Sequence, residues 1–212
     1  RDGLTKDEHA AVVERVKEHI RAGNTFQCEV GFKSEYTLEG DPVAIYERLR
    51  EVNPSPFMYH LKFGSASAKG SGETRHIIGA SPELLFSLRD GEMTTRPLAG
   101  TIKRGADEKE DQQLARKLLS DPKERAEHTM LLDMHRNDIG KVAQFGTVRV
   151  KDLMTVKKFS HVQHMSSEVV GVIRPGEDMF SGLKSNFPMG TICGTQKVET
   201  IKIIDSNEPE AR

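Results

Sequence analysis

Several short stretches of this sequence carry side chains whose types and spacing could do chemistry. In Asp121-Pro122-Lys123-Glu124-Arg125-Ala126-Glu127-His128, Glu124 and Glu127 stand one helical turn apart. Two carboxylates so placed could hold a hard cation such as Mg2+, which takes oxygen ligands and keeps several waters. The same spacing also suits a solvated charged face with Arg125 as counter-charge. His161-Val162-Gln163-His164 invites a metal reading, but strand residues three apart point to opposite faces and cannot chelate one ion. One of the two, on the face of Ser160, Val162 and Ser166, is a candidate general acid or base, or equally a structural strand histidine. Gly190-Thr191-Ile192-Cys193-Gly194, followed by Lys197, is a glycine-containing turn entering a helix. Free amides and a lysine there suit a carboxylate or phosphate, although the pattern is neither a P-loop nor a dinucleotide fingerprint. Glu83, after Ala80-Ser81-Pro82, puts a carboxylate at a strand entrance, and Arg96 to Thr101 leaves a strand through a tight turn.

Composition bounds what these groups could serve. The chain has 212 residues, 31 Lys+Arg against 32 Asp+Glu, and a net charge of −1. That balance argues against a dedicated polyanion binder and hence against nucleic acid as partner. No apolar run approaches ~18 residues, so no membrane span is expected, and Arg1-Asp2-Gly3-Leu4 holds no apolar signal core. The two cysteines, Cys28 and Cys193, fit neither a disulfide framework nor a zinc site and suggest a reducing, cytoplasmic setting.

The elements that must position these residues are legible in outline. Thr5-Lys6-Asp7-Glu8 reads as a capping box opening a helix with Val13, Val16 and Ile20 on one face and a stop at Gly23. Asp41-Pro42 opens a second helix closed by Asn53-Pro54. Phe57, Tyr59, Leu61 and Phe63 alternate with Met58, His60 and Lys62, which predicts a strand. Gly64 to Gly72 reads as a flexible hairpin tip before strand residues resume at Ile77-Ile78. Leu84–Leu88 and Glu92–Thr95 predict a hairpin around Asp90-Gly91. Asp107 to Leu119 is helical, and Asp121-Pro122 caps another helix running to about Ile139, ended by Gly140. Thr147–Val150, Phe159–His164 and Glu168–Ile173 read as three strands, and Lys197–Ile204 as a last helix. Short hairpins with helices in separate blocks predict an α+β fold with antiparallel sheets.

Taken together, the motifs resemble the chorismate-utilising enzymes, and within that family the branch of the anthranilate synthase large subunits. The resemblance rests on Asn53-Pro54-Ser55-Pro56-Phe57-Met58, Gly79 to Leu85, Arg96-Pro97-Leu98-Ala99-Gly100-Thr101, Lys123 to His128 with Asp133 and Arg136-Asn137-Asp138, His161 to Ser166, and Phe187-Pro188-Met189-Gly190-Thr191 with Lys197. It implies antiparallel sheets layered as a sandwich and flanked by helices. It also implies Mg2+-dependent amination of chorismate at C2 by ammonia, followed by elimination of pyruvate to give anthranilate, the entry to tryptophan biosynthesis. By resemblance, Glu83 is the general acid for the departing C4 hydroxyl, and its pKa would need raising for that task. Glu127 matches a Mg2+ ligand, with Glu124 beside it. Gly100, Thr101, Gly190, Thr191, Gly194 and Lys197 match the substrate-carboxylate cradle, and His164 the histidine that assists pyruvate elimination.

Two further positions bear on the choice of reaction within the family. Gln27 stands where water-adding relatives place a lysine base, and Ala99 where many aminodeoxychorismate synthases carry a lysine that attacks C2. Pro56, Phe57 and Met58 resemble part of a tryptophan feedback site. With no glutamine-hydrolysing Cys/His arrangement in the sequence, the resemblance implies a separate glutamine amidotransferase subunit as ammonia source. An aminodeoxychorismate synthase and a non-catalytic chorismate-binding or subunit-interaction module are the alternatives. The family's Ser-Gly-Ala-Pro-Lys pattern is here Cys193-Gly194-Thr195-Gln196-Lys197, which removes a fixed φ at the helix start. The family pattern continues beyond both ends of the chain, so residues 1–212 are expected to be a partial catalytic domain, truncated at both ends.

Overall fold

The computed structural model describes residues 2–64 and 74–208. In chain order it forms helices α1 (Lys6–Arg21) and α2 (Pro42–Val52) and strands β1 (Phe57–Phe63), β2 (Arg75–Ser81), β3 (Leu84–Arg89), β4 (Glu92–Arg96) and β5 (Leu98–Lys103). Helices α3 (Glu108–Ser120) and α4 (Pro122–Gly140) follow, then strands β6 (Arg149–Lys158) and β7 (Val162–Val172), and helices α5 (Met179–Asn186), α6 (Gly190–Cys193) and α7 (Lys197–Asn207). The fold is α+β with antiparallel sheets, as expected.

Local chemistry sets most of the boundaries. The Thr5 side chain accepts from the Glu8 amide, and the Glu8 carboxylate accepts from the Thr5 amide, completing the capping box of α1. At its other end Gly23 takes φ +80°, and Asn24 N–H donates back to the His19 carbonyl, the six-to-one bond of a glycine C-cap. Asp121 ends α3 and caps α4, its carboxylate accepting from the amides of Lys123 and Glu124. Gly140 is the last residue of α4, as expected, but it does not cap the helix in the way Gly23 caps α1. Its φ is not left-handed, and Lys141 N–H still closes a helical bond to Asn137. Asp90 and Gly91, both with positive φ, make the expected turn between β3 and β4.

β1 and β2 pair alone, with Phe57 opposite Ser81 and Met58 opposite Ala80. The expected Gly64–Gly72 tip lies, from residue 65 onward, outside the described residues. The larger sheet has five strands built around β7. On one side of β7, β4 and β5 run end to end: Thr95 faces Val169 and Leu98 faces Ser166, so the register continues through Pro97. A bulge between Leu98 and Thr101 then shifts it by one, with Gly100 at φ +86°. On the other side β6 pairs along β7 with its own irregularity between Lys151 and Thr155, where Asp152 and Met154 take positive φ.

The three strands read from residues 147–173 are therefore two long ones. The buried polar run Gln163, Ser166 and Ser167 does not interrupt β7: the Gln163 amide donates to Asp111 of α3, and Ser167 Oγ meets His128 of α4 and the Met154 amide of β6. Helix α5 was not legible from apolar periodicity, although Asp178 and Ser181 form its capping box. Helix α4 lies against the sheet, and Met93, Leu132, Ile139, Val142, Ala143 and Val169 bury one another there. A second cluster of Val12, Val16 and Ile203 joins α1 to α7. Each such side chain contributes about 1.5–3 kcal/mol when withdrawn from water.

Candidate active site

Glu83 stands one residue before β3, in a tight turn where its own N–H donates to Ser81 Oγ at 3.4 Å. β3 begins pairing at Leu84 opposite Arg96. One pair beyond that start, the Leu98 N–H finds the Glu83 carboxylate, at 3.0 Å to Oε1, in place of a main-chain carbonyl. The other oxygen, Oε2, accepts from the Thr191 hydroxyl at 3.1 Å. Burial pushes the Glu83 carboxyl up to about 7; the two donors pull against it, and the charge of Glu29 adds to the rise. A carboxyl poised there is protonated in a large fraction of molecules at neutral pH and can donate.

The residues that follow Leu98 each meet another candidate group. The Ala99 carbonyl accepts from His128 Nδ1 at 3.1 Å, and His128 Nε2 lies 2.7 Å from Ser167 Oγ. The Ala99 carbonyl can only accept, so Nδ1 carries the ring proton, and the Ser167 hydroxyl, which accepts from the Met154 amide, donates to Nε2. Burial pushes the pKa of His128 down and keeps the ring neutral. Gly100 lies against α4, and a Cβ added there would come within 3.2 Å of Glu124 Oε2. The Thr101 hydroxyl is 2.9 Å from His164 Nδ1, and the His164 ring meets Phe159 edge to face. Burial pushes the His164 pKa down, and a bond to the Gly100 main chain opposes that. Leu98, Ala99 and Thr101 of β5 thus bond Glu83, His128 and His164, and Gly100 between them faces Glu124 with no side chain in the way.

Glu124 and Glu127 are both half-buried on α4, and among the described residues neither carboxylate has a hydrogen-bond or ion-pair partner. Two unpaired anionic oxygens one turn apart fit what Mg2+ asks of its protein ligands. No group of three His, Cys, Asp or Glu among the described residues could hold a metal, so this pair is a partial set.

The glycine turn is a built loop. Thr191 lies in the one-turn helix α6, and Gly190 packs its α-carbon on Met134. Gly194, at φ +119°, abuts the Gln27 main chain so closely that a Cβ would overlap the Gln27 carbonyl oxygen. That carbonyl accepts from the Thr195 amide, which brings Gln27 alongside the loop, with its side-chain Oε1 buried and unpartnered. Lys197 is placed differently from the other cradle residues. Its ammonium is bound to Asp138 Oδ2 at 2.7 Å and to the Asn186 carbonyl at 3.3 Å.

Pro56 and Phe57 are exposed and Met58 is half-buried at the start of β1. Phe57 faces Ser81, which holds the Glu83 turn, so these positions sit one strand from the acid. His161 precedes β7 and bonds Ser160 Oγ through Nδ1, apart from His164. Sequence reasoning passed over His135 and Ser167, and it quoted Asp138 within a motif without giving it a role. The buried stripe His128, His135 and Asp138 on α4 has helical spacing, but it is polar, and apolar periodicity does not register it.

The chain matches the chorismate binding enzyme family over residues 1–212. It belongs to that family. It is 56% identical over 211 residues to anthranilate synthase component 1 of Leptospira biflexa, covering 99% of this chain and 44% of the relative. It is 45% identical over 205 residues to the protein of the same name in Methanothermobacter thermautotrophicus, covering 97% of this chain and 42% of the relative. Among solved structures it superposes on anthranilate synthase component I from Streptococcus pneumoniae with a TM-score of 0.88 and 36% identity, covering all of this chain and 45% of that one. The chain spans less than half the length of these relatives. No helix among the described residues is long and apolar enough to cross a membrane.

Proposed function

We propose that this chain is the chorismate-handling portion of an anthranilate synthase large subunit, a lyase that aminates chorismate at C2 and eliminates pyruvate. The carrying observation is Glu83: its carboxyl is lifted to about 7 and is aimed by the Leu98 amide and the Thr191 hydroxyl. Relatives named for that enzyme at 56% and 45% identity support the same branch over the aminodeoxychorismate reading.

In this mechanism ammonia forms a bond to C2 with its own lone pair, and the ring π electrons shift to expel the C4 oxygen. Glu83 gives its proton to that oxygen, which leaves as water rather than hydroxide. Gln27 is a neutral amide and cannot deprotonate water, which disfavours hydroxyl addition. Gly100, Thr101 and the α6 amides receive the substrate carboxylates, and His164, kept neutral by burial, assists loss of the enolpyruvyl group as pyruvate. Glu124 and Glu127 would hold Mg2+, which when bound offsets the charge of the ring carboxylate. A glutamine amidotransferase subunit supplies ammonia, tryptophan is the feedback ligand near Pro56, Phe57 and Met58, and the setting is cytoplasmic.

The test is to incubate the full-length protein with chorismate, Mg2+ and ammonium and to follow anthranilate fluorescence. Formation of 4-amino-4-deoxychorismate as the main product, or no turnover at all, overturns the reading.

A further inference from the structure

Lys197 is a half-buried lysine that the proposed reaction does not explain. Its side chain is 15% exposed and Asp138 is 4% exposed. Asp138 also receives Lys141 through its other oxygen at 2.8 Å, so one carboxylate on α4 gathers two ammonium groups. The second acceptor of Lys197, the Asn186 carbonyl, is the last residue of α5 and lies 11 positions earlier in the chain. Lys197 itself is the first residue of α7. Its ammonium therefore joins the two ends of residues 186–197 and ties both to α4. Within that span, α6 is a single turn closed by Cys193 N–H to Met189 and Gly194 N–H to Gly190, too short to be stable by itself. Thr191, whose hydroxyl reaches Glu83, is carried on that turn.

We propose that Lys197 is a positioning residue that clamps residues 186–197 onto α4 through Asp138, so that Thr191 stays in reach of Glu83, and that it does not bind the substrate carboxylate itself. Two of its three N–H groups are already spent on protein acceptors. The charged and titratable groups around the clamp are Asp138 and His135 of α4, with Lys141 at the end of that helix. Around Glu83 the charged neighbour is Glu29. Removing Lys197 leaves Asp138 paired to Lys141, so no orphan charge is created and Lys197→Met is expected to fold.

The clamp itself is independent of the reaction assigned above, whereas its kinetic consequence rests on that reading. Hydrogen exchange of residues 187–196 in the full-length protein, without substrate, reads the clamp directly. Exchange should be at least tenfold faster in Lys197→Met and Asp138→Asn, and restored toward wild type in Lys197→Arg. With chorismate, both loosened variants should lose about 10- to 100-fold in kcat with KM changed less than threefold. Losing the Thr191 bond should also move the alkaline limb of the kcat profile to higher pH, since that bond holds the Glu83 pKa down. Unchanged exchange, or a loss carried by a tenfold rise in KM, overturns the proposal. Should the wild type make no anthranilate, the reaction assignment fails and the exchange result alone decides the clamp.

Discussion

The Thr191 hydroxyl donates to Glu83 Oε2 at 3.1 Å, joining a single helical turn to the entrance of β3 across 108 residues of sequence. Because Leu98 holds the other oxygen through its amide, the carboxyl plane is fixed before any ligand arrives.

Glu83→Gln keeps the shape and still accepts from Leu98, but it has no proton of the required acidity. Turnover of the full-length protein should fall about 10²- to 10⁴-fold with the fold retained. The same substitution has a signature in stability. The native carboxyl binds its proton more tightly than the unfolded one, so wild-type stability from this group declines as pH rises from about 4.5 to about 7. The glutamine variant lacks that decline and should gain on wild type over this interval, by on the order of 2 kcal/mol. Urea unfolding at pH 5 and pH 8 measures it; parallel curves for the two proteins would refute it.

His135 should give a slope of the opposite sign. Its ring is buried beside Thr95, its Nε2 has no partner among the described residues, and burial pushes its pKa down to about 4. The unfolded ring takes a proton below its ordinary value of 6.5, so stability from this group is lost as pH falls from 6.5 to about 4. His135→Asn should remove that acid-side loss and leave the opposite slope of Glu83 uncompensated, so that stability declines steadily from about pH 4.5 upward. Because Glu83 slopes the other way over much of this range, the wild-type profile should be flatter than either residue alone would make it.

Two glycines of the α6 loop should respond differently to one added methyl. At Gly194 the methyl meets the Gln27 carbonyl, which is main chain, and φ is +119°, so Gly194→Ala should destabilise by more than about 2 kcal/mol. At Gly190 it meets the end of the Met134 side chain, which can turn away. Gly190→Ala should cost less than half as much in thermal unfolding; equal costs would contradict this assignment of the strain.

For the metal, titration calorimetry of the full-length protein with Mg2+ should show binding that Glu127→Gln weakens at least tenfold. A carboxamide lacks the anionic oxygen that a hard cation prefers. Undiminished binding would remove Glu127 from the site.

How much of this was legible in the sequence follows the range of each interaction. Thr5, Asp41, Asp107 and Asp121 act on amides within three residues, and the helices they open were readable. Strand β6 was ended too early, before a bulge at Asp152 and Met154 whose left-handed backbone residue type does not announce, and β7 was split at Met165-Ser166-Ser167, where buried hydroxyls read as a polar break. The family resemblance pointed to Glu83, Thr101 and His164 as members of one site. It did not reveal that Leu98 and Thr191 hold the acid, since those bonds depend on where β3 starts and how α6 is folded back. Nor did it show Lys197 turned toward Asp138, which reads in sequence as one more cation near a glycine turn.

The bulge in β5 has a consequence for how this strand can change. Ala99 and Gly100 are both buried, and only after them does Thr101 emerge. The extra residue doubles the inward position: Ala99 and Gly100 both answer to the helix-backed interior before Thr101 emerges opposite His164. Deleting Gly100 would restore strict alternation with Thr101 still opposite His164, but the second inward position, the one nearest Glu124, would be lost. Length changes in the Asp90-Gly91 turn, by contrast, would be absorbed before they reached the site. The strand is thus intolerant of indels at one peptide and permissive a few residues away.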